Sequence, residues 1–482
     1  MTSVGALAQT GAPMAKPTDL HPGTPPQAAA RNEPGATGVP ETRYATSEDG
    51  VSIAYQTVGD GPLDVVLELE SWGSIDLLWE LPEMADLFRR LSSFSRLILH
   101  DRRGTGISGG RGGFPNLETR VRDLLTVLNT LRVARVVLVG DRTAGAAHAM
   151  LAATHPERVR ALVWLGPVAT RRWSPEYPWG LTPDELRSEI DWVRDGIGTM
   201  PFSREWVAGA VPDRAGDEQL AAQIARIDRH HIPPSTAVDW LRTEGDTDVR
   251  SVLPLVRCPT LIVVHQQRPA RVDESRHVQS LIPRSELAVL EGKAVALPFG
   301  HRAEVTDLIH RFATREPKTD ERTTVLSTVL FTDIVGSTER QAAAGDRAWA
   351  ELVAGHHAVV REALERWRGL ENDTAGDGFY ATFDGPASAI RCALEVVDRL
   401  RELGVEIRAG LHAGECEIVD GKRAGLAVTI GARIAAIAGP SEVLVSRTVK
   451  DLTAGSGFVF EDRGEHALKG LPESWQVFSA SS

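Results

Sequence analysis

The chain has 482 residues, enough for two independent cores, and its 65 acidic side chains outnumber 53 basic ones for a formal net charge of −12. That balance, with an isoelectric point near 5.7, offers no basic stripe to offset phosphate repulsion and argues against a nucleic-acid partner. No apolar run approaches the roughly 18 residues needed to span a bilayer, so no membrane span is expected. Cys258, Cys392 and Cys416 lie far apart without metal-ligand spacing, which fits reduced thiols and a cytoplasmic location.

Taken in chain order, residues 1–40 are rich in Ala, Pro, Gly and Thr and lack a basic start followed by an apolar core. They are expected to be disordered rather than a secretory signal. From 41 to 314, short Val- and Leu-rich runs at 64–69, 96–100, 135–139, 161–165, 260–264 and 286–290 alternate with helical patterns. That alternation predicts a mostly parallel sheet with helices on both faces. Together with Asp101-Arg-Arg-Gly-Thr-Gly-Ile-Ser and Ala153-Thr-His-Pro-Glu-Arg-Val, it resembles an α/β hydrolase, in which residues 173–246 would form a helical lid.

Hydrolases of this kind set a serine in Gly-x-Ser-x-Gly on the sharp turn after the central strand. Here the run is Gly140-Asp-Arg-Thr-Ala-Gly145, with Arg142 at the nucleophile position. A guanidinium is never a nucleophile at working pH. The stretches where the acid and the histidine belong read His265-Gln-Gln-Arg-Pro-Ala270 and Gly292-Lys-Ala-Val-Ala-Leu-Pro298, leaving Asp273, His301 and Thr143 as substitutes on paper. With three roles empty, the resemblance implies a module kept for binding, dimerisation or control. A pocket floored by Arg142 would prefer a small anionic ligand.

The charged, proline-containing run Arg315-Glu-Pro-Lys-Thr-Asp-Glu-Arg322 reads as a linker (315–322), and a second domain occupies 323–482. Residues 325–331 read as a strand with Ser337 at a helix N-cap, so Asp333 in Phe331-Thr-Asp-Ile-Val-Gly-Ser-Thr338 lies at the strand's end. Main-chain N–H groups at Gly336 and Ser337, at the mouth of the following helix, favour triphosphate oxygens. A helix over 337–368 carries Trp349, Leu352, Val353, Val360, Leu364 and Trp367 at a spacing close to 3.6. Gly376-Asp377-Gly378 is a tight turn entering a strand at 379–383. Pairing the two strands would bring Asp333 and Asp377 together, able to hold two Mg²⁺ or Mn²⁺ ions roughly 3.5 to 4 Å apart. A helix at 386–403, a strand hairpin at 405–418, a helix at 427–438 and strands at 442–446, 458–461 and 475–478 complete an antiparallel sheet covered by helices.

This series, with Arg408-Ala-Gly-Leu-His-Ala-Gly-Glu415, Gly431-Ala-Arg433-Ile and Ala467-Leu-Lys469-Gly, resembles the class III nucleotidyl cyclases, which implies an α+β ferredoxin-like domain. The resemblance assigns metal binding to Asp333, Asp377 and the carbonyl of Ile334, transition-state stabilisation to Arg433, and phosphate binding to Lys469. Thr429 stands where the family has an asparagine, and one donor in place of an amide's two implies slower turnover. The usual purine-reading lysine and acid are exchanged, with Asp373 at the first position and Lys422 at the second. The implied activity is conversion of ATP, the commonest substrate of such enzymes, to 3′,5′-cyclic AMP and pyrophosphate at the interface of a homodimer. GTP as substrate, a weakly active nucleotide-binding signalling module, and a surviving esterase are the alternatives.

Overall fold

The computed structural model describes residues 39–70, 73–110, 113–267, 269–291, 297–315, 324–419 and 421–482. Residues 1–38 of the expected disordered segment, most of the linker, the stretch 292–296 and Asp420 therefore lie outside the described residues.

The first sheet has eight strands: β1 Arg43–Thr46, β2 Ser52–Val58, β3 Leu63–Glu68, β4 Ser95–His100, β5 Val136–Asp141, β6 Val159–Leu165, β7 Thr260–His265 and β8 Ser285–Leu290. Their spatial order is β1-β2-β4-β3-β5-β6-β7-β8, parallel from β4 onward and antiparallel at β1 and β2. Central strands such as Val-Val-Leu-Val-Gly of β5 are apolar without alternation because both faces are covered. Covering helices are α1 Ile75–Leu78, α2 Pro82–Ser92, α3 Leu117–Thr130 and α4 Ala144–Thr154. Four helices, α5 Pro183–Gly196, α6 Met200–Ala210, α7 Glu218–His231 and α8 Pro234–Asp246, make up the lid, and α9 Pro269–Leu281 and α10 Arg302–Ala313 follow. The six parallel strands and the lid were legible in the sequence, whereas β1 and β2 were not.

The second sheet holds β9 Thr324–Ile334, β10 Leu370–Ala375, β11 Gly378–Phe383, β12 Ile407–Val419, β13 Lys422–Ala424, β14 Val443–Ser446, β15 Val459–Ala467 and β16 Ser474–Ser481. Its order is β10-β11-β9-β12-β14-β16-β15, with β13 folded back on β12 and only β12–β14 parallel. Helices are α11 Ser337–Ala344, α12 Asp346–Trp367, α13 Pro386–Glu402, α14 Leu426–Ile437 and α15 Arg447–Leu452. Alternation along β9 sorts them: Leu326, Leu330 and Ile334 face the core under α12 and α13, while Val329 faces Cys416 and Ala427 under α14.

Local expectations are corrected in three places, and two elements are new. Gly336, not Ser337, is the N-cap of α11, because the chain leaves β9 through a left-handed residue at φ 66°. Gly345, at φ 78°, splits the expected long helix into α11 and α12. The expected hairpin at 405–418 is one unbroken strand, and the reversal comes later, between β12 and β13. Strand β10, polar and on the sheet's edge, and helix α15 had no expectation.

The two sheets share a core. Helix α4, Ala-Gly-Ala-Ala-His-Ala-Met-Leu-Ala-Ala-Thr, is buried along its whole length, lying on β5 and β6 on one side and meeting β9 on the other. A helix apolar all round can be stable only if covered all round. One continuous cluster accordingly runs from Ala146, Ala149 and Val252 into Leu326, Ile390 and Val396.

Candidate active site

Asp333 sits one residue from the end of β9, and Asp377 occupies the two-residue turn between β10 and β11, where Gly376 takes φ 63°. The register Phe379↔Thr332 lays that turn beside the strand's end. Asp377 Oδ2 accepts from the Ile334 N–H at 3.1 Å, so both carboxylates meet the same stretch of backbone. Burial, and next the charge of Asp333, pushes the Asp377 carboxyl above its ordinary range. A pair of carboxylates held in mutual repulsion, with only oxygen donors, is a set that a hard divalent cation relieves. Among the described residues no group of three acidic or imidazole ligands forms, so the remaining donors would be main-chain carbonyl, nucleotide and water.

Arg408, which was not predicted as a site residue, lies beside this carboxylate pair. Its Nη2 donates to Asp333 Oδ2 at 2.6 Å, across the register pair Arg408↔Asp333. Only strand register reveals this, since the two are 75 positions apart. Gly336 leaves the first turn of α11 without a side-chain cap, so its amides, Ser337's included, have no local acceptor from a cap.

The structure brings Asp373 and Lys422, the residues expected at the purine positions, together: Lys422 Nζ lies 3.8 Å from Asp373 Oδ1. The arm carrying Lys422 is pinned to β10 and β11, because the Arg423 N–H donates to Asn372 Oδ1 at 3.0 Å and the Tyr380 hydroxyl donates to the Arg423 carbonyl at 2.7 Å. Thr429, exposed, and Arg433, half-buried one turn later, project from α14, and Lys469 is exposed beyond buried Leu468. Arg433 Nε is buried without an acceptor. Among the described residues no hydrogen bond joins Thr429, Arg433 or Lys469 to Asp333 or Asp377.

In the first domain Arg142 keeps the left-handed backbone of a nucleophile turn, φ 46°, fastened by Trp164 Nε1 donating to its carbonyl at 2.6 Å. Its Nε donates to Glu70 Oε2 at 2.5 Å, and the Thr143 hydroxyl donates to Glu70 Oε1 at 2.8 Å. Burial works to raise Glu70, yet the charges of Arg142 and Arg171 hold it at about 2. The guanidinium is thus already matched by a buried carboxylate. Beside it, Glu68 faces Arg120 at 3.1 Å, His148 at 3.3 Å and His100 at 3.5 Å, and Arg120 reaches Glu244 of α8 at 2.8 Å. The cavity lined by Glu68, His100 and Arg102 is about 20 Å³, room for one water. Asp273 pairs with Arg276 and His301 with Glu304; neither engages Thr143.

Comparison with known families matches residues 320–479 to the Adenylate and Guanylate cyclase catalytic domain. A receptor-type adenylate cyclase, GRESAG 4.3 of Trypanosoma brucei brucei, is 27% identical over 36% of this chain and 14% of its own length. A probable esterase of Oryza sativa subsp. japonica is 26% identical over 43% of the chain and 75% of its own length. Among solved structures, bromoperoxidase from Bacillus anthracis superposes with a TM-score of 0.50 at 22% identity, covering 57% of this chain and all of that one. The chain spans only part of other curated relatives, 17% of one and 52% of another. The likenesses divide at the two sheets.

Proposed function

We propose that this chain, in which an α/β-hydrolase-like domain precedes a class III nucleotidyl cyclase domain, is a nucleotidyl cyclase forming a 3′,5′-cyclic nucleotide and pyrophosphate. The convergence of Asp333 and Asp377 on the Ile334 amide carries the reading. In it, Asp333, Asp377 and the Ile334 carbonyl hold two Mg²⁺ or Mn²⁺ ions. When bound, the ions supply the Lewis acidity that activates the ribose 3′-hydroxyl and offsets charge on the leaving pyrophosphate. Arg408 keeps the Asp333 side chain oriented through its ion pair. The Gly336 and Ser337 amides and Lys469 bind phosphate oxygens, and Arg433, planar and always charged, stabilises the transferring phosphoryl group. Thr429 orients the ribose less firmly than an amide side chain can. Because among the described residues no hydrogen bond joins Thr429 or Arg433 of α14 to either carboxylate, the site is completed by a second copy, and two equivalent centres form about a two-fold axis. The protein acts in the cytoplasm; its three cysteines are unpaired and buried, and no helix among the described residues is long and apolar enough to cross a membrane.

ATP is the first substrate to expect from the family. The Asp373–Lys422 pair favours GTP as a second reading. A carboxylate can accept both N1–H and N2–H of guanine while the ammonium donates to O6, three bonds against the two that adenine offers. Esterase action is disfavoured by the Arg142–Glu70 pair.

The test is cyclic-product formation by the full chain with ATP or GTP and Mn²⁺. Asp333→Ala and Asp377→Ala are each expected to lose on the order of a hundredfold or more. No product from either triphosphate, or full activity in both variants, would refute the assignment.

A further inference from the structure

Helix α13 begins without a cap of its own. Its N-cap residue, Gly385, has no side chain and Pro386 has no N–H, so the first amides in need of an acceptor are those of Ala387 and Ser388. Both find it in the other domain. Glu118, in the first turn of α3, accepts from the Ala387 N–H at 2.7 Å and the Ser388 N–H at 3.2 Å, and the Ser388 hydroxyl donates to its other oxygen.

Glu118 is only 7% exposed, and its place suits it twice, since one negative charge meets the positive ends of α3 and α13. Gly385 makes the room. A Cβ built there would lie 2.0 Å from Glu118 Cδ, although φ −137° and ψ 138° are extended values that any residue adopts. A serine or aspartate cap is therefore excluded by the incoming carboxylate and not by the backbone.

The same turn of α3 holds on elsewhere. Asn116 caps α3 by accepting from the Thr119 N–H at 2.9 Å, and its amide donates to Ser456 Oγ at 2.7 Å. Two residues beyond Glu118, Arg120 pairs with Glu68 on β3 and Glu244 on α8. Helix α13 itself packs on β9, β11 and β12, the strands that position Asp333, Asp377 and Arg408.

We propose that Glu118 is the N-cap of α13 donated by the hydrolase-like domain, and that α3 thereby links the ion-pair network beneath the lid to the strands bearing the metal carboxylates. The hydrolase-like domain is then a structural part of the cyclase and not a tethered neighbour.

Amide hydrogen exchange on the full chain tests this without relying on turnover. Glu118→Ala is expected to speed exchange at Ala387 and Ser388 roughly five- to tenfold, the loss of one cap. Glu118→Gln, which keeps an acceptor oxygen, is expected to fall between it and the parent. Gly385→Ser alone also speeds exchange, because the new side chain displaces Glu118. Combining Glu118→Ala with Gly385→Ser restores slow exchange, since the introduced hydroxyl caps the helix from within. Glu244→Gln, on the lid, is expected to speed exchange at the same two amides in the parent background and to leave them unchanged in the double variant. Parental exchange in Glu118→Ala, or a double variant more labile than either single one, overturns the capping assignment; a silent Glu244→Gln in the parent overturns the link.

Discussion

At position 142 the backbone takes the left-handed turn that in hydrolases lifts a serine hydroxyl clear of the sheet, and the side chain it presents is a guanidinium bound to Glu70. The sequence located Arg142 but not its partner, which lies 72 positions earlier, two residues beyond the end of β3. Because Glu70 titrates near 2 instead of its ordinary 4.5, the pair contributes stability that is fully present above pH 4.5 and is lost as pH falls through 2. Arg142→Ser would remove the guanidinium in contact with the buried Glu70 carboxylate and leave only the charge of Arg171 beyond it. It should cost about 3 to 5 kcal/mol at pH 7 and create no esterase, as neither Asp273 nor His301 reaches the position. Denaturant unfolding of parent and variant should show the gap closing between pH 4.5 and 2. A second residue-scale prediction concerns the base. Asp373→Ala, which takes away two acceptors from guanine and one from adenine, should shift the GTP-to-ATP ratio of turnover toward ATP by roughly tenfold, about one charge-assisted hydrogen bond, as read by competition between the two triphosphates.

Elements were legible where chemistry repeats along the chain and obscure where it depends on a neighbour. β9 and the Gly376-Asp377-Gly378 turn could be read because an apolar run and a glycine-flanked reversal are local patterns. β10 could not, since Leu-Glu-Asn-Asp-Thr-Ala on an exposed edge has no apolar face to betray it. The role of Arg408 was hidden for a related reason, as it follows from the register of β12 against β9 and not from spacing. The packing of α14 on that sheet also rests on a residue that looks unremarkable in sequence. A Cβ at Gly410 would stand 2.1 Å from the Ala435 main-chain nitrogen, so the helix rests directly on the strand. Gly410→Val must push α14 outward. The expected cost is about 1 to 3 kcal/mol in thermal unfolding, with a larger fractional loss of turnover than of stability, because Thr429 and Arg433 ride on the displaced helix.

For the whole molecule, the division into two known folds was readable from the sequence, while the depth of their contact was not. Composition hinted at it only in α4, whose alanine-rich run has no polar side to turn toward water. The proposed two-fold site predicts that inactive chains can rescue each other. Mixing Asp333→Ala with Arg433→Ala at equal amounts should recover roughly a quarter of parental turnover, since half the dimers are mixed and each has one intact centre of two. No recovery on mixing and re-equilibration would mean that every centre is built from a single chain.

Helix α4 bears on how the chain can be divided. Its eleven residues are hidden from both sides, so cutting at the linker does not yield two self-sufficient pieces. A truncated C-terminal fragment would carry a greasy scar around Leu326 where α4 had lain, and the N-terminal fragment a matching bald strip of alanines. Fragments scarred in this way stick to themselves, and expressing either half alone should yield material that precipitates until its missing half is supplied.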